Sequence, residues 1–225
     1  MKFVTCVIPN WFTISEIGIQ ALFVIVTLLI AYNAYKVYRI SGHRSSLLYG
    51  AGFLGLGVGY FMQALLHIFL FFGVSSKDIL AVASQQATVT STVQLSAIPT
   101  VLGMVATIAG LATIAYVTLK EKNPKVLILL IVLGMVSITT PYYPVTYHLA
   151  ASIFLGFITI QYFKHHERKR NAQSMAVYLG FGFILLGTLQ LALSDVMSTF
   201  YILGHFVALI GYLLLLWSLM KVVSK

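Results

Sequence analysis

At 225 residues the chain is 60% hydrophobic and only 8% charged, more apolar surface than a soluble domain of this size could hide. It reads as an all-α integral membrane protein, and its formal net charge of +9 follows from where the lysines and arginines fall rather than from a nucleic-acid partner. A single cysteine, Cys6, leaves no intramolecular disulfide, no cysteine-based zinc cluster and no C-x-x-C-H haem attachment.

A hydrocarbon core about 30 Å thick asks for roughly 20 apolar residues at about 1.5 Å each, and seven segments of one domain spanning 1–225 meet or approach that length. Met1 to Ile14 is too polar and too poor in basic residues to open a cleaved signal peptide, so the first segment, 15–38, is expected to remain as a signal anchor. Lys36, Arg39 and Arg44 lead into the second segment, 46–74, and the third is 88–119, where Pro99 is predicted to bend the helix and open room beside Gln94. Lys120, Lys122 and Lys125 flank the fourth, 124–140, the shortest of the seven, which ends before Pro141 and Pro144. The fifth, 142–163, opens on Tyr142 and Tyr143 and is followed by Lys164, Arg168, Lys169 and Arg170; the sixth and seventh are 174–195 and 199–220, with Trp217, Lys221 and Lys225 closing the chain.

Twelve of the fourteen basic residues thus fall on one face, against Lys2 and Lys77 on the other. The positive-inside rule then places the C-terminus in the cytoplasm and the N-terminus outside the cell membrane. The run Lys164 to Arg170 reads first as a solvated inner loop that enforces this orientation, and its charge would also suit anionic lipid headgroups or a cytosolic partner.

The first and second segments superpose on the fifth and sixth at an offset of 128 residues, placing Lys36 on Lys164, Gly52-Phe53 on Gly180-Phe181, Gly59 on Gly187 and Ala64-Leu65 on Ala192-Leu193. If the third segment pairs with the seventh, the chain is three helices, a linker helix and three more in the same orientation, the parallel repeat plan of some secondary transporters and of several receptor-like bundles. Glycines in the second and sixth segments, with Ala51, Gly55 and Gly59 as a small-xxx-small stripe, are expected to let helix backbones approach closely.

Counted from their outer ends, His67, His148 and His205 lie seven or eight residues inside three different segments, roughly 10–12 Å deep at about 1.5 Å per residue. Gln94 and Gln190 fall near the same level, with Glu16 and Asp195 closer to the rim. Glu16 with Gln20, Gln63 with His67, Gln190 with Ser194 and Tyr201 with His205 are i,i+4 pairs that share a helix face. An imidazole in hydrocarbon needs protein, water, a metal or a cofactor beside it, so the common depth predicts one outward pocket. Three imidazoles with a carboxylate suit a transition metal; two suit the axial positions of haem b; the same set suits a small solute or a proton. Separate helix-gluing hydrogen bonds are the plain alternative.

Every lysine lies in a loop or at the end of a segment, not at mid-segment as a retinal Schiff base requires, and H-E-x-x-H, G-x-S-x-G and the P-loop are absent, which leaves an enzyme without a motif. Glu16, Leu65-Leu66-His67, Gly204-His205 and Gly211-Tyr212 together resemble the seven-helix membrane-associated sensor modules found ahead of histidine kinases and cyclases in bacteria and archaea. That resemblance implies an extracytoplasmic or intramembrane ligand site that includes Glu16, His67 and His205. No segment here is long and polar enough for an output domain, so a soluble effector or a further membrane subunit is expected to be a separate chain. The expectation is a sensor-like or receptor-like membrane protein, with a b-type haem electron-transfer subunit and a small parallel-repeat transporter as alternatives.

Overall fold

The computed structural model describes residues 10–73, 86–120, 123–140, 143–194 and 198–223. Among them the chain forms seven helices and no strand: α1 (Asn10–Ser41), α2 (Arg44–Gly73), α3 (Gln86–Leu119), α4 (Pro124–Val136), α5 (Tyr143–Lys169), α6 (Ala172–Ala192) and α7 (Ser198–Val223). Six are long and apolar enough to cross a bilayer. The exception is α4, which stops at Val136 instead of reaching 140, because Ser137, Thr139 and Thr140 turn their hydroxyls back onto the carbonyls of Gly134, Val136 and Ser137.

Local chemistry sets the other turns. Gly42 ends α1 at φ +69°, its N–H donating to the Tyr38 carbonyl at 2.8 Å, a left-handed C-terminal cap that suits glycine. Asn123 and Asn171 cap α4 and α6, accepting from the backbone N–H of Lys125 (3.0 Å) and of Ser174 (2.7 Å). Gly42→Ala forces a side chain into the left-handed region and should lower stability by about 1–2 kcal/mol. Thermal unfolding in detergent measures it, and an unchanged midpoint would show that the α1–α2 turn is free to rearrange.

Helices α1, α2, α3, α5, α6 and α7 close a ring, each packed on the next, while α4 lies outside it against α3 and α5. The ends of α1, α3, α5 and α7 meet the start of α2 around one cleft lined by Val37, Ser45, Val117, Tyr162 and Leu219. The basic residues that follow or begin these helices therefore gather at one end of the bundle. Since α3 finishes at this basic end and α5 starts at the far one, α4 and its flanking turns carry the chain between them.

The centre of the ring is filled by Phe23, Ile30, Phe53, Ile108, Ile114, Ile158, Phe181 and Tyr212, all nearly inaccessible. The outer surface carries leucines and isoleucines such as Leu22, Ile25, Leu54, Leu129 and Ile153, the face a lipid bilayer solvates.

Two helix pairs cross by the same device. A Cβ added to Gly110 of α3 would sit 2.6 Å from the Gly52 carbonyl oxygen of α2, and one added to Gly211 of α7 would sit 2.5 Å from that of Gly180 of α6. Two turns further on, a Cβ added to Gly103 would sit 3.1 Å from the Gly59 carbonyl oxygen and one added to Gly204 would sit 2.9 Å from that of Gly187. Gly52 and Gly59 map onto Gly180 and Gly187 at the offset of 128, and Gly103 and Gly110 map onto Gly204 and Gly211 at an offset of 101. The packing neighbours follow, with Ile114 on Gly52 matched by Leu215 on Gly180, and Thr107 on Gly59 by Ala208 on Gly187.

Candidate ligand-binding site

Glu16, in the second turn of α1, is only 2% exposed although it carries a carboxylate. Its surroundings explain how it is held. Tyr201, at the start of α7, donates its hydroxyl to Glu16 Oε1, and Gln20, one turn along α1, donates through Nε2 at 3.3 Å. His67 Nδ1 stands 3.3 Å from the same carboxylate oxygen and 3.2 Å from Gln20 Oε1, while His205 Nε2 lies 3.9 Å from it. His205 Nδ1 is 2.9 Å from the Tyr201 carbonyl oxygen. A carbonyl can only accept, so Nδ1 carries a hydrogen and Nε2 is the nitrogen turned toward Glu16.

Beside this cluster is a cavity of about 210 Å³ at the far end of the bundle, lined by His67 and Gln63 from α2, His148 from α5 and Tyr201 and His205 from α7. The three predicted histidines therefore share one cavity rather than three separate crevices. His148 packs its ring edge-on against Tyr147, and Phe23 stacks on His205 at 6.5 Å. The floor is aromatic: the Tyr60 and Tyr212 hydroxyls are 2.8 Å apart, and Phe23 lies against both rings.

Gln190 of α6 is half-buried and does not line the cavity; its Oε1 has no hydrogen-bond partner among the described residues. Asp195 lies outside the described residues, as does the side chain of Gln94, whose backbone belongs to α3. Lys164 and Arg168 line a groove with Lys120 at the basic end, Lys169 lines a neighbouring cleft, and Arg170 sits in the turn before α6.

Sequence reasoning did not assign Gln20, Tyr60, Thr107, Tyr147, Thr188 and Tyr212 to the site, yet all six line it. A signal was present: Tyr60, Gln63 and His67 are spaced i, i+3, i+7, and Tyr201, His205, Ala208 and Tyr212 are spaced i, i+4, i+7, i+11, each a single helix face. Tyrosines among leucines read as packing until a polar neighbour on the same face is weighed with them.

The size and donor set narrow the occupant. Among the described residues no three His, Cys, Asp or Glu side chains are gathered in a way that could hold a metal ion. The volume, about 210 Å³, falls below the range of about 300–1,000 Å³ that drug-sized ligands occupy. The fold and surface define a multi-pass helical membrane protein with a cavity toward one end whose lining mixes polar side chains with leucines, alanines and an isoleucine. Comparisons of the chain with protein-family models, with curated proteins and with solved structures each return no match, so the site is read from its own chemistry.

Proposed function

We propose that this is a receptor-like membrane protein that binds a small polar molecule in the cavity between its halves. The observation that carries the reading is the convergence of His67, His148 and His205 beside the buried Glu16 cluster. Polar groups in a hydrophobic bundle are costly to maintain, and here His67, His148, Tyr201 and His205 line one shared space in addition to the bonds that His67 and Tyr201 make across to α1. The walls offer donors and acceptors at one side and aromatic faces at the other, which suits a ligand with a polar head and an apolar flank.

In this reading all seven helices cross the cell membrane, with the N-terminus outside and the C-terminus and basic end in the cytoplasm, so that the cavity opens outward. Helix α4 is 13 residues, about 20 Å at 1.5 Å per residue, and crosses with the help of its flanking turns. The chain is a parallel three-plus-one-plus-three repeat, supported by the matched glycine crossings of α2 with α3 and α6 with α7. Occupancy would shift how these crossings pack and be passed to a separate cytoplasmic effector or membrane subunit.

Thermal unfolding of the detergent-purified protein against a panel of small amines, amino acids and carboxylates tests the binding. A ligand at a hundred times its Kd stabilises by about 2.7 kcal/mol. The expected result is a compound that raises the midpoint of the native chain and leaves His205→Ala and Glu16→Gln unmoved. Equal shifts in all three proteins, or none across the panel, would remove the reading.

A further inference from the structure

The outer cavity is matched by a cleft of about 300 Å³ at the basic end, lined by Ile30, Tyr49, Tyr162, Lys169, Val177 and Leu215. The two approach each other closely. Along α1 the outer cavity reaches Phe23 and the inner cleft begins at Ile30; along α6 the corresponding residues are Ile184 and Val177; along α7 they are Tyr212 and Leu215. Seven residues of helix are about 10 Å and three are about 4.5 Å, so the barrier between the spaces is one to two helical turns thick.

That barrier has twofold character. Ile30 and Ile158, Phe53 and Phe181, and Ile114 and Leu215 are all buried and are equivalent pairs under the offsets of 128 and 101, and the Phe53 and Phe181 rings lie 6.4 Å apart. The outer cavity is also walled in pairs: Gln20 with His148, Tyr60 with Thr188, Thr100 with Tyr201 and Leu111 with Tyr212. Cavity and barrier therefore lie between the repeated halves. Gly-to-backbone crossings hold α2 to α3 and α6 to α7, whereas Phe53 and Phe181 meet across the halves ring to ring.

We infer that the bundle is a solute carrier, in which the two halves rock about the Phe53–Phe181 barrier and expose the histidine-lined cavity first to the outer face and then, through the basic-end cleft, to the inner one. This rests on the ligand cavity proposed above and adds a path to the other side. A receptor needs only the outer opening. Rigid pairs of helices moving as units around a site at their interface provide the second.

Cysteine accessibility tests this without knowledge of the ligand. In a Cys6→Ser background, Thr188→Cys and Thr100→Cys place reporters in the outer cavity, Ser45→Cys marks the basic end and Thr199→Cys the far end. Each is treated in right-side-out and inverted vesicles with a membrane-impermeant maleimide, and labelling is scored on monodisperse purified protein. A minor state populated at about 0.1–10% predicts that both cavity reporters react from the basic face about 10- to 1,000-fold more slowly than from the outer face, and faster than Thr199→Cys does. Cavity reporters that react from one face only, or from the basic face no faster than Thr199→Cys, overturn the exchange. Reaction from the outer face alone leaves the ligand cavity standing, whereas no reaction from either face overturns both readings.

Discussion

Glu16→Ala should lower the stability of the detergent-purified protein by about 2–4 kcal/mol, counting about 1–2 kcal/mol for each of its two polar contacts across helices, with Tyr201 and with His67. The carboxylate joins three helices: it accepts from Tyr201 of α7 and Gln20 of α1 and stands against His67 of α2. Its removal takes from Tyr201 and Gln20 the buried carboxylate oxygen to which both donate. Tyr201→Phe removes one of these bonds and should cost less. Glu16→Gln, which keeps an acceptor oxygen, should fall between native and alanine. The coupling of Glu16 with Tyr201 is read from a double-mutant cycle on unfolding free energies. Additive losses would show that Tyr201 and Glu16 act independently and that the cluster is not the joint between α1 and α7.

The second large effect concerns the helix crossings. Gly110→Ala and Gly211→Ala each drive a methyl to within 2.6 Å or less of a backbone oxygen on the facing helix, and backbone cannot step aside as a side-chain tip can. Overpacking of this kind costs about 1–3 kcal/mol. The two substitutions should cost similar amounts, because they occupy the same register in the α2–α3 and α6–α7 pairs. Their sum should describe the double variant, since the sites lie in separate helix pairs. Gly18→Ala meets nothing within 4 Å and should instead stabilise by up to about 1 kcal/mol through helix propensity alone. Unfolding midpoints measure all three, and a tolerated Gly110→Ala beside a damaging Gly211→Ala would break the equivalence of the halves.

The histidine layer was legible because depth in a membrane helix is a count of residues, and His67, His148 and His205 gave the same count from three separate ends. Glu16 was visible for a similar reason, as a carboxylate one turn before Gln20. Its role as the hub was not, since at the rim a carboxylate can equally be solvated; only the approach of Tyr201 across 185 residues of chain buries it. The aromatic floor of Tyr60, Tyr147 and Tyr212 was hidden because packing and ligand contact use the same residue type. The early end of α4 was missed because serine and threonine hydroxyls compete for helix carbonyls only where the following chain turns to allow it.

Sequence by itself determined the class, through apolar runs of membrane length, and it also displayed a one-sided distribution of Lys and Arg, a 128-residue echo between the first two and the fifth and sixth segments, and polar residues at one depth. These depend on composition, rise per residue and periodicity, which are local properties of a helix. Tertiary structure decided the circular order of the ring, the displacement of α4 to its outside, the register that pairs α3 with α7, and the barrier that separates two cavities. Those depend on how helices rotate about their own axes when packed, and many rotations satisfy an apolar sequence almost equally well until the closest approaches, Gly52 to Gly110 and Gly180 to Gly211, select one.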